Sequence, residues 1–371
     1  MKYIVTSDIH LGHSKTPTKH IIHSFKNTIL THSNSDIDIL FISGDLFDKL
    51  LDLNSKEVQY IIEFFNYLLN YCLQHDILLR VLEGTPGHDW QQSNLLVKLN
   101  DIRQHKCNLK YFKALDIEHI DRVDKYVLYI PDEWTNTHSE LEAQIKQKLN
   151  EHNITNVDIA ILHGQFKYQL VGKKYSGFHF EEQYFLNLVK GYIHVGHYHI
   201  YSFLDRIIAN GSLERLAHGE ESDKGYVRVH DNSYTFMPNE FSYTYKTLNI
   251  TPSITIEKLD RLIYKYDKGS YIRLLMSRDH PFNISFNEIK AKHLDYNLKK
   301  LIKEDYAEET SVAYILLDNH LDLSDRYVLE ANIYDKLIET VYSKYTLSDI
   351  EKKKFLNFIS CFNGVTANEN T

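Results

Sequence analysis

The stretch KYIVTSDIHLGH, residues 2–13, places an apolar run directly before an aspartate and two histidines. A short apolar run that ends in ionisable residues predicts a buried strand with a functional site at its end. We predict six more strands of this kind, because apolar runs recur along the chain. Their segments are DILFISGD, ILLRVLEG, KYVLYIP, VDIAILHG, GYIHVGH and RIIANGS.

Helical periodicity separates several of these runs. Residues 55–74 carry apolar side chains on one face, and residues 138–149 follow a capping box of Thr137 and Glu140. Strands that alternate with helices predict an α/β fold, here a β-sandwich flanked by helices. Ligands of such folds bind beyond the carboxyl ends of the strands, so the residues at those ends form the candidate site.

The composition is that of an ordinary globular protein. The chain of 371 residues is 43% hydrophobic and 25% charged, and its length allows a large core in two domains or in one large domain with appendages. It has no signal-peptide pattern and no run of about 18 apolar residues, so we expect a cytosolic protein. The net charge of −8 argues against a broad basic surface for a polyanion. Cys72, Cys107 and Cys361 form no CxxC pair, which argues against a disulfide framework or a thiolate zinc site.

The pattern of predicted helices and strands changes after about residue 245. Residues 250–320 predict a small second α/β unit, with a helix in ITIEKLDRLIYKY and strands in GSYIRLLMS and SVAYILLD. Residues 323–362 predict two amphipathic helices, the second begun by a capping box of Ser348 and Glu351. The apolar faces of these helices either pack on their own domain or bind a partner, and the sequence leaves both open.

Five clusters of aspartate and histidine follow the apolar runs. An Asp-x-His or His-x-His at a strand end is expected to direct both side chains to one side, because side-chain direction alternates along a strand. Carboxylates and imidazoles together suit manganese, iron or zinc, and six ligands exceed what one ion needs. We therefore predict two ions that share Asp45, activate water and bind a phosphate ester. The clusters are Asp8 and His10, Asp45 and Asp48, His88 and Asp89, His163, and His197 and His199.

Taken in order, the motifs D-x-H, G-D, H-D, H-G and G-H-x-H resemble those of the calcineurin-like metallophosphoesterases over residues 1–200. Residues 210–226, NGSLERLAHGEESDKGY, resemble the pattern that follows G-H-x-H in the SbcD and Mre-eleven DNA repair nucleases, and phage members of that family fit the size. The resemblance implies a nuclease domain over 1–245, a capping domain over 250–320 and C-terminal helices over 323–371 that bind an SbcC-type, SMC-like ATPase.

The same resemblance implies a manganese-dependent DNA exonuclease and endonuclease acting on DNA ends in recombination, repair or replication. It also implies a homodimer, with a monomer organised by the ATPase as the alternative, in a bacterial or phage-infected bacterial cell. His88 would stabilise the transition state or protonate the leaving oxygen, and Asp89 would orient His88. Asp48 would either help to position the substrate or His88, or only stabilise its own turn. One ion would be held by Asp8, His10, Asp45 and His199, and the other by Asp45, His163 and His197.

Gly87 departs from the family pattern, which has an asparagine there that completes the second metal site. The missing ligand would have to come from water, a backbone carbonyl or a neighbour such as Thr85, and we expect a weaker second site rather than an inactive enzyme. A backbone that needs a positive φ angle would also explain the glycine. Two other functions stay open: a small-substrate phosphodiesterase or phosphatase, and a catalytically silent DNA-binding subunit.

Overall fold

The structure, a computed structural model, describes residues 1–52, 54–132, 137–170 and 178–303. Its strands are β1 (Lys2–Thr6), β2 (Ile39–Ser43), β3 (Leu78–Leu82), β4 (Leu109–Phe112), β5 (Asp116–Ile120), β6 (Lys125–Ile130), β7 (Ile159–His163), β8 (Ile193–Gly196), β9 (Ser202–Leu204), β10 (Ile207–Ala209), β11 (Gly225–His230), β12 (Ser233–Pro238), β13 (Tyr245–Asn249), β14 (Tyr271–Met276) and β15 (Asn297–Ile302).

Its α-helices are α1 (Thr18–Thr28), α2 (Lys56–Gln74), α3 (Pro86–Asp89), α4 (Asn94–Asp101), α5 (His138–Glu151), α6 (Glu182–Leu188), α7 (Ile256–Ile263), α8 (Pro281–Ile284) and α9 (Phe286–Lys292). Short 3-10 helices lie at His32–Asn34 and Lys167–Leu170. None of the described helices is long and apolar enough to cross a membrane.

The seven predicted strands all form, as β1, β2, β3, β6, β7, β8 and β10. The two helices predicted between these strands form as α2 and α5, and the Thr137 hydroxyl accepts a hydrogen bond from the Glu140 backbone N–H at 3.2 Å. The sequence did not predict β4, β5, β9, β11 or β12. Strand β12 illustrates the cause: its side chains are partly or fully exposed, so it lacks a continuous apolar run.

The first two sheets are mixed and have six strands each. Their orders are β12-β11-β1-β2-β3-β4 and β5-β6-β7-β8-β10-β9. Strands β1 to β4 run parallel, with Val5 opposite Phe41 and Ile42 opposite Val81, and so do β6, β7, β8 and β10. Antiparallel strands β11, β12, β5 and β9 lie outside these parallel blocks. The carboxyl ends of the parallel strands in each sheet therefore share one edge.

The sheets stack face to face with helices outside. Tyr3 and Val5 point into an apolar layer between the sheets, which also contains Phe41 and Tyr129. Ile4 points the other way and packs in a cluster with residues of α1 and α2. Residues of α5 and α6 cover the outer face of the second sheet. Each fully buried large apolar side chain contributes about 1.5–3 kcal/mol, so strands that are apolar on both faces favour this sandwich.

A third, all-parallel sheet in the order β13-β14-β15 follows the sandwich. Helices α7, α8 and α9 supply the crossovers between its strands, and their apolar residues share one core with the sheet. The predicted helix and strand in 254–277 form as α7 and β14, whereas β13 begins before residue 250 and β15 was not predicted. The predicted strand SVAYILLD and the helices predicted over 323–362 lie outside the described residues, and the division into three domains stays a prediction.

Candidate metal centre

The six predicted ligands lie together where the two sheets meet at the carboxyl ends of their central strands. The sheets are joined here by hydrogen bonds: Ser43 Oγ donates to the Leu162 carbonyl at 2.7 Å, and His163 Nδ1 donates to the Ser43 carbonyl at 2.8 Å. Asp8 and His10 follow β1, Asp45 follows β2, His163 ends β7, and His197 and His199 follow β8. Strand order therefore brings together residues that are far apart in the chain.

Left-handed backbone, rather than strand alternation, directs these side chains to a common point. Strand β1 ends at Thr6, and φ is 51° at Asp8, 54° at His10, 48° at Asp45 and 90° at His197. The convergence was expected from the alternation of side chains along a strand. That explanation was wrong, although the side chains do converge. Such conformations cost non-glycine residues about 1–3 kcal/mol each and cluster at functional sites. The sandwich must supply the free energy that holds them.

Close approach of the β2 loop to β7 explains the glycine that precedes Asp45. Gly44 has a φ of 82°, and a Cβ on it would lie 2.1 Å from Nδ1 of His163. A side chain at residue 44 would therefore force His163 and the Asp45 loop apart.

The first group of ligands is Asp8, His10 and His199. His10 Nε2 and His199 Nε2 lie 3.1 Å apart, and His199 Nε2 lies 3.9 Å from Asp8 Oδ1. His199 donates its Nδ1 proton to Glu220 Oε1 at 2.9 Å, so Nε2 is the atom with the lone pair when the ring is neutral. Two nitrogens that each lie about 2.1 Å from one ion, at a right angle, are about 3 Å apart. The spacing of the two imidazoles therefore fits one metal ion.

The second group is Asp45, His163 and His197. The hydrogen bond to Ser43 turns Nε2 of His163 toward Asp45 Oδ1, at 3.2 Å. Burial opposes a charge on His163, but Asp45 outweighs burial and raises the pKa of His163 to about 10. Burial also opposes the charge on Asp45, but His163 and His10 hold its pKa well below its usual range. This buried carboxylate requires a nearby positive charge, which a metal ion would supply.

Asp45 reaches both groups with one carboxylate. Its Oδ1 faces His163, and its Oδ2 lies 3.9 Å from His10 Nε2. The donor set of carboxylate oxygens and imidazole nitrogens fits manganese, iron or zinc. The residues thus form a candidate dinuclear site with Asp45 as the shared ligand.

The surroundings of His88 revise two predicted roles. Asp89 does not orient His88, because its Oδ1 accepts from the Phe47 N–H at 2.8 Å and its Oδ2 accepts from the Gly84 N–H at 2.6 Å. His88 instead donates its Nδ1 proton to the Asp48 backbone carbonyl at 2.7 Å. Asp89 thus braces the two loops that carry Asp45 and His88.

The Asp48 side chain faces the site, as predicted, but it lies beside His10. Its Oδ1 is 3.3 Å from His10 Nδ1. Burial raises the pKa of Asp48, but the neighbouring His10 outweighs burial and holds it below its usual value. His88 also lies close enough to His10 and Asp45 for these three to form a further possible metal-binding group.

Two acidic residues of 210–226 have roles that the sequence did not assign. Glu220 holds His199 and is itself paired with Lys224 at 3.1 Å. Burial raises the pKa of Glu220, but His199 and Lys224 outweigh burial and lower it to about 2. Glu214 is buried and accepts from Ser24 Oγ of α1 at 3.0 Å and from the Tyr243 N–H at 2.7 Å, so it links α1 to the chain that leads into β13. The only signal in the sequence was the pattern of this segment.

Gly87 does not need positive φ, contrary to one of the two explanations above. Its φ lies outside the left-handed region, and a Cβ on it would meet nothing within 4 Å. Neither strain nor a clash therefore requires glycine at this position.

Two mixed sheets flanked by helices, with buried aspartate and histidine groups at one edge, are consistent with a metallophosphoesterase-like sandwich. No family model and no curated protein matches the chain. Among solved structures, the chain is similar to TT1561 of Thermus thermophilus, at 11% identity and a TM-score of 0.41 over 64% of this chain and 99% of that one. A second crystal structure has a TM-score of 0.40 at 11% identity over the same shares. A functional conclusion must therefore come from the site.

Proposed function

We propose that this protein is a metal-dependent phosphodiesterase that hydrolyses DNA. The observation that carries the proposal is the pair of ligand groups sharing Asp45 at the meeting edge of two sheets. A pair of divalent ions bound there supplies Lewis-acid activation of a phosphate ester and of water. Manganese is the ion we propose, since the donor set suits it and the sequence resembles manganese-dependent nucleases.

The protein's own residues orient the reacting groups. Asp8 accepts the His197 N–H with both carboxylate oxygens, at 2.9 and 3.1 Å, and so fixes the loop after β8. The Asp48 carbonyl fixes the tautomer of His88 with its proton on Nδ1, which leaves Nε2 as the atom that can meet a substrate. In its doubly protonated form, His88 would donate the Nε2 proton to the leaving oxygen and return to this neutral tautomer.

Two features support DNA as the substrate. The segment 210–226 resembles that of DNA repair nucleases and supplies Glu220 to His199. Trp90, two residues beyond His88, is 56% exposed, and its indole N–H donates to the Gly87 carbonyl at 2.8 Å. An indole held in place beside a phosphodiester site is suited to stack on a nucleic-acid base.

The partner is proposed from the sequence alone. Residues 323–371 would bind an SbcC-type ATPase through the apolar faces of their helices, and two copies of the chain would form a dimer. A pull-down with a chain that ends at residue 322 tests the first part. Loss of ATPase binding with unchanged manganese content supports it, and retained binding contradicts it.

The function is tested on three substrates with purified protein and manganese, with and without the ATPase. We expect cleavage of linear DNA, slower cleavage of circular DNA, and hydrolysis of bis(p-nitrophenyl) phosphate. Hydrolysis of the small ester alone would indicate a small-substrate phosphodiesterase. DNA binding without hydrolysis of any substrate would indicate a silent DNA-binding subunit.

A further inference from the structure

The hydroxyl of Thr85 lies among the three residues of the second ligand group. Its Oγ1 is 3.3 Å from Asp45 Oδ2, 3.4 Å from His163 Nε2 and 3.3 Å from His197 Nδ1. Asp45 and His197 follow β2 and β8, and His163 ends β7, so the hydroxyl is surrounded by the site rather than placed at its rim.

These distances are too long for good hydrogen bonds of a hydroxyl group, which are about 2.5–3.0 Å to oxygen. They are the distances expected between neighbouring ligands of one ion, since donors about 2.1 Å from a metal are about 3 Å apart at right angles. Each of the three distances from the Thr85 hydroxyl is therefore the distance expected between two ligands of one ion.

The backbone holds Thr85 in this place. Its N–H donates to Asp45 Oδ1 at 2.6 Å, which ties the turn after β3 to the shared carboxylate. Gly84 lets the two loops approach, because a Cβ on it would lie 2.1 Å from the Asp45 nitrogen. The position of the hydroxyl thus follows from main-chain contacts that a change of the Thr85 side chain would leave in place.

We propose that the Thr85 hydroxyl is a ligand of the second metal ion and supplies the donor that Gly87 lacks. The inference rests on the dinuclear site of the proposed function. A hydroxyl is a neutral donor, so the second position would combine one carboxylate, two imidazoles and one neutral oxygen. It should therefore bind Mn²⁺ more weakly than the position that includes Asp8, His10 and His199 beside Asp45.

The first test is calorimetric titration of the full chain with MnCl₂ for the unmodified protein and for T85V, T85S and G87A. Losing an outer-shell partner of a metal ligand typically lowers affinity about 10-fold to 100-fold. We expect T85V, which removes a direct donor, to lower the affinity for the second ion by at least about 10-fold and to leave the affinity for the first ion unchanged. T85S should bind both ions almost as the unmodified protein does.

G87A is the matched control, because it changes the same turn where a Cβ has open space. The inference is overturned if T85V binds the second ion with unchanged affinity. It is equally overturned if G87A lowers the affinity for the second ion as much as T85V does. It is also overturned if the unmodified protein binds one ion only.

A second variant gives a positive signal that does not depend on the stability of T85V. With T85C and Co²⁺, direct contact places a thiolate on the ion, and a thiolate-to-cobalt charge-transfer band appears that the unmodified protein lacks. A folded, cobalt-loaded T85C without that band contradicts the assignment. Neither experiment involves a substrate, so a protein that passes both but hydrolyses no phosphodiester would refute the proposed function and leave the metal ligand in place.

Discussion

The Asp48 carbonyl does for His88 what the sequence predicted for the Asp89 carboxylate. A carbonyl can only accept, so the hydrogen bond at 2.7 Å places the proton of neutral His88 on Nδ1. Asp89 is fully buried and accepts two backbone N–H groups, which makes it a brace of the loops. At the residue scale, the chemistry of the site therefore depends on a main-chain atom that no motif contains.

Replacing His88 by asparagine should remove most hydrolysis and leave manganese binding intact. Loss of a group that transfers a proton typically costs about 10²-fold to 10⁴-fold in rate. The rate of phosphodiester hydrolysis and the manganese content of H88N check this, with H105N as a control at an exposed histidine. If H88N loses an ion, His88 is a ligand, as its closeness to His10 and Asp45 allows.

At the element scale, the connection from β8 to β11 is part of the site. It carries His197 and His199, passes through β9 and β10, and returns to the site with Glu220 and Lys224. Lys224 Nζ donates to the His199 carbonyl at 2.7 Å, so the two residues hold both the ring and the backbone of His199. A ligand that is fixed in this way loses less conformational entropy when it binds a metal.

The variant E220Q should lower the affinity for the first metal ion by about 10-fold to 100-fold. The reason is that His199 loses the charged acceptor that fixes its ring and raises its basicity. Manganese titration calorimetry measures the effect. E221Q is the matched control, since Glu221 is paired instead with Lys246 at 2.8 Å. Equal affinities in E220Q and the unmodified protein would limit Glu220 to a structural role.

The segment between β3 and α4 carries both His88 and Trp90, and the Trp90 indole donates to the Gly87 carbonyl at 2.8 Å. The W90A variant should bind DNA about 5-fold to 150-fold more weakly, which corresponds to the loss of about 1–3 kcal/mol of base stacking. Its hydrolysis of bis(p-nitrophenyl) phosphate should not change, because that ester has no base to stack. W90F serves as a control that keeps an aromatic ring, and DNA affinities by fluorescence anisotropy separate the variants. A parallel loss of small-ester hydrolysis would point to a disturbed turn.

At the scale of the whole molecule, a few polar groups cross the apolar layer between the sheets. Arg80 of β3 forms two hydrogen bonds with Glu118 of β5, at 2.8 and 2.9 Å. Tyr3 of β1 contacts Nε2 of His194 in β8, at 3.3 Å. Breaking such a buried pair leaves an unpaired polar group, so these contacts favour one alignment of the sheets.

The stability of the fold should decrease in mild acid because of His194. Burial lowers the pKa of His194 to about 4, whereas an unfolded histidine has a pKa of about 6.5. Between these values only the unfolded chain binds the proton. The contribution of His194 to the free energy of unfolding is therefore fully present above about pH 6.5. It falls by about 3 kcal/mol as the pH approaches 4.

Urea unfolding of metal-free protein at about pH 7.5 and about pH 4.5 measures this effect. H194Q removes the titrating group, so its loss of stability between the two pH values should be smaller than that of the unmodified protein. The metal-binding histidines are the same in both proteins and cancel in the comparison. Equal losses would show that His194 is not the source.

The sequence by itself determined the seven central strands and the six residues that converge as candidate metal ligands. Both are local properties: an apolar run long enough to be buried on both faces specifies a strand, and ionisable residues at its end specify a site. Strands such as β12, and β15 of the third sheet, lack such a run, and only their pairing in the folded chain creates them.

Only the tertiary structure decided how the ligands are aimed and what surrounds them. Left-handed backbone at Asp8 and Asp45, the Asp48 carbonyl on His88, and Glu220 on His199 all depend on contacts between loops that are distant in the chain. The same holds for Thr85, which the sequence offers only as one candidate for the missing donor, beside water and a backbone carbonyl. Its hydroxyl reaches the second ligand group because four strands from two sheets, β2, β3, β7 and β8, end at one place, and the packing of the whole sandwich sets that meeting point.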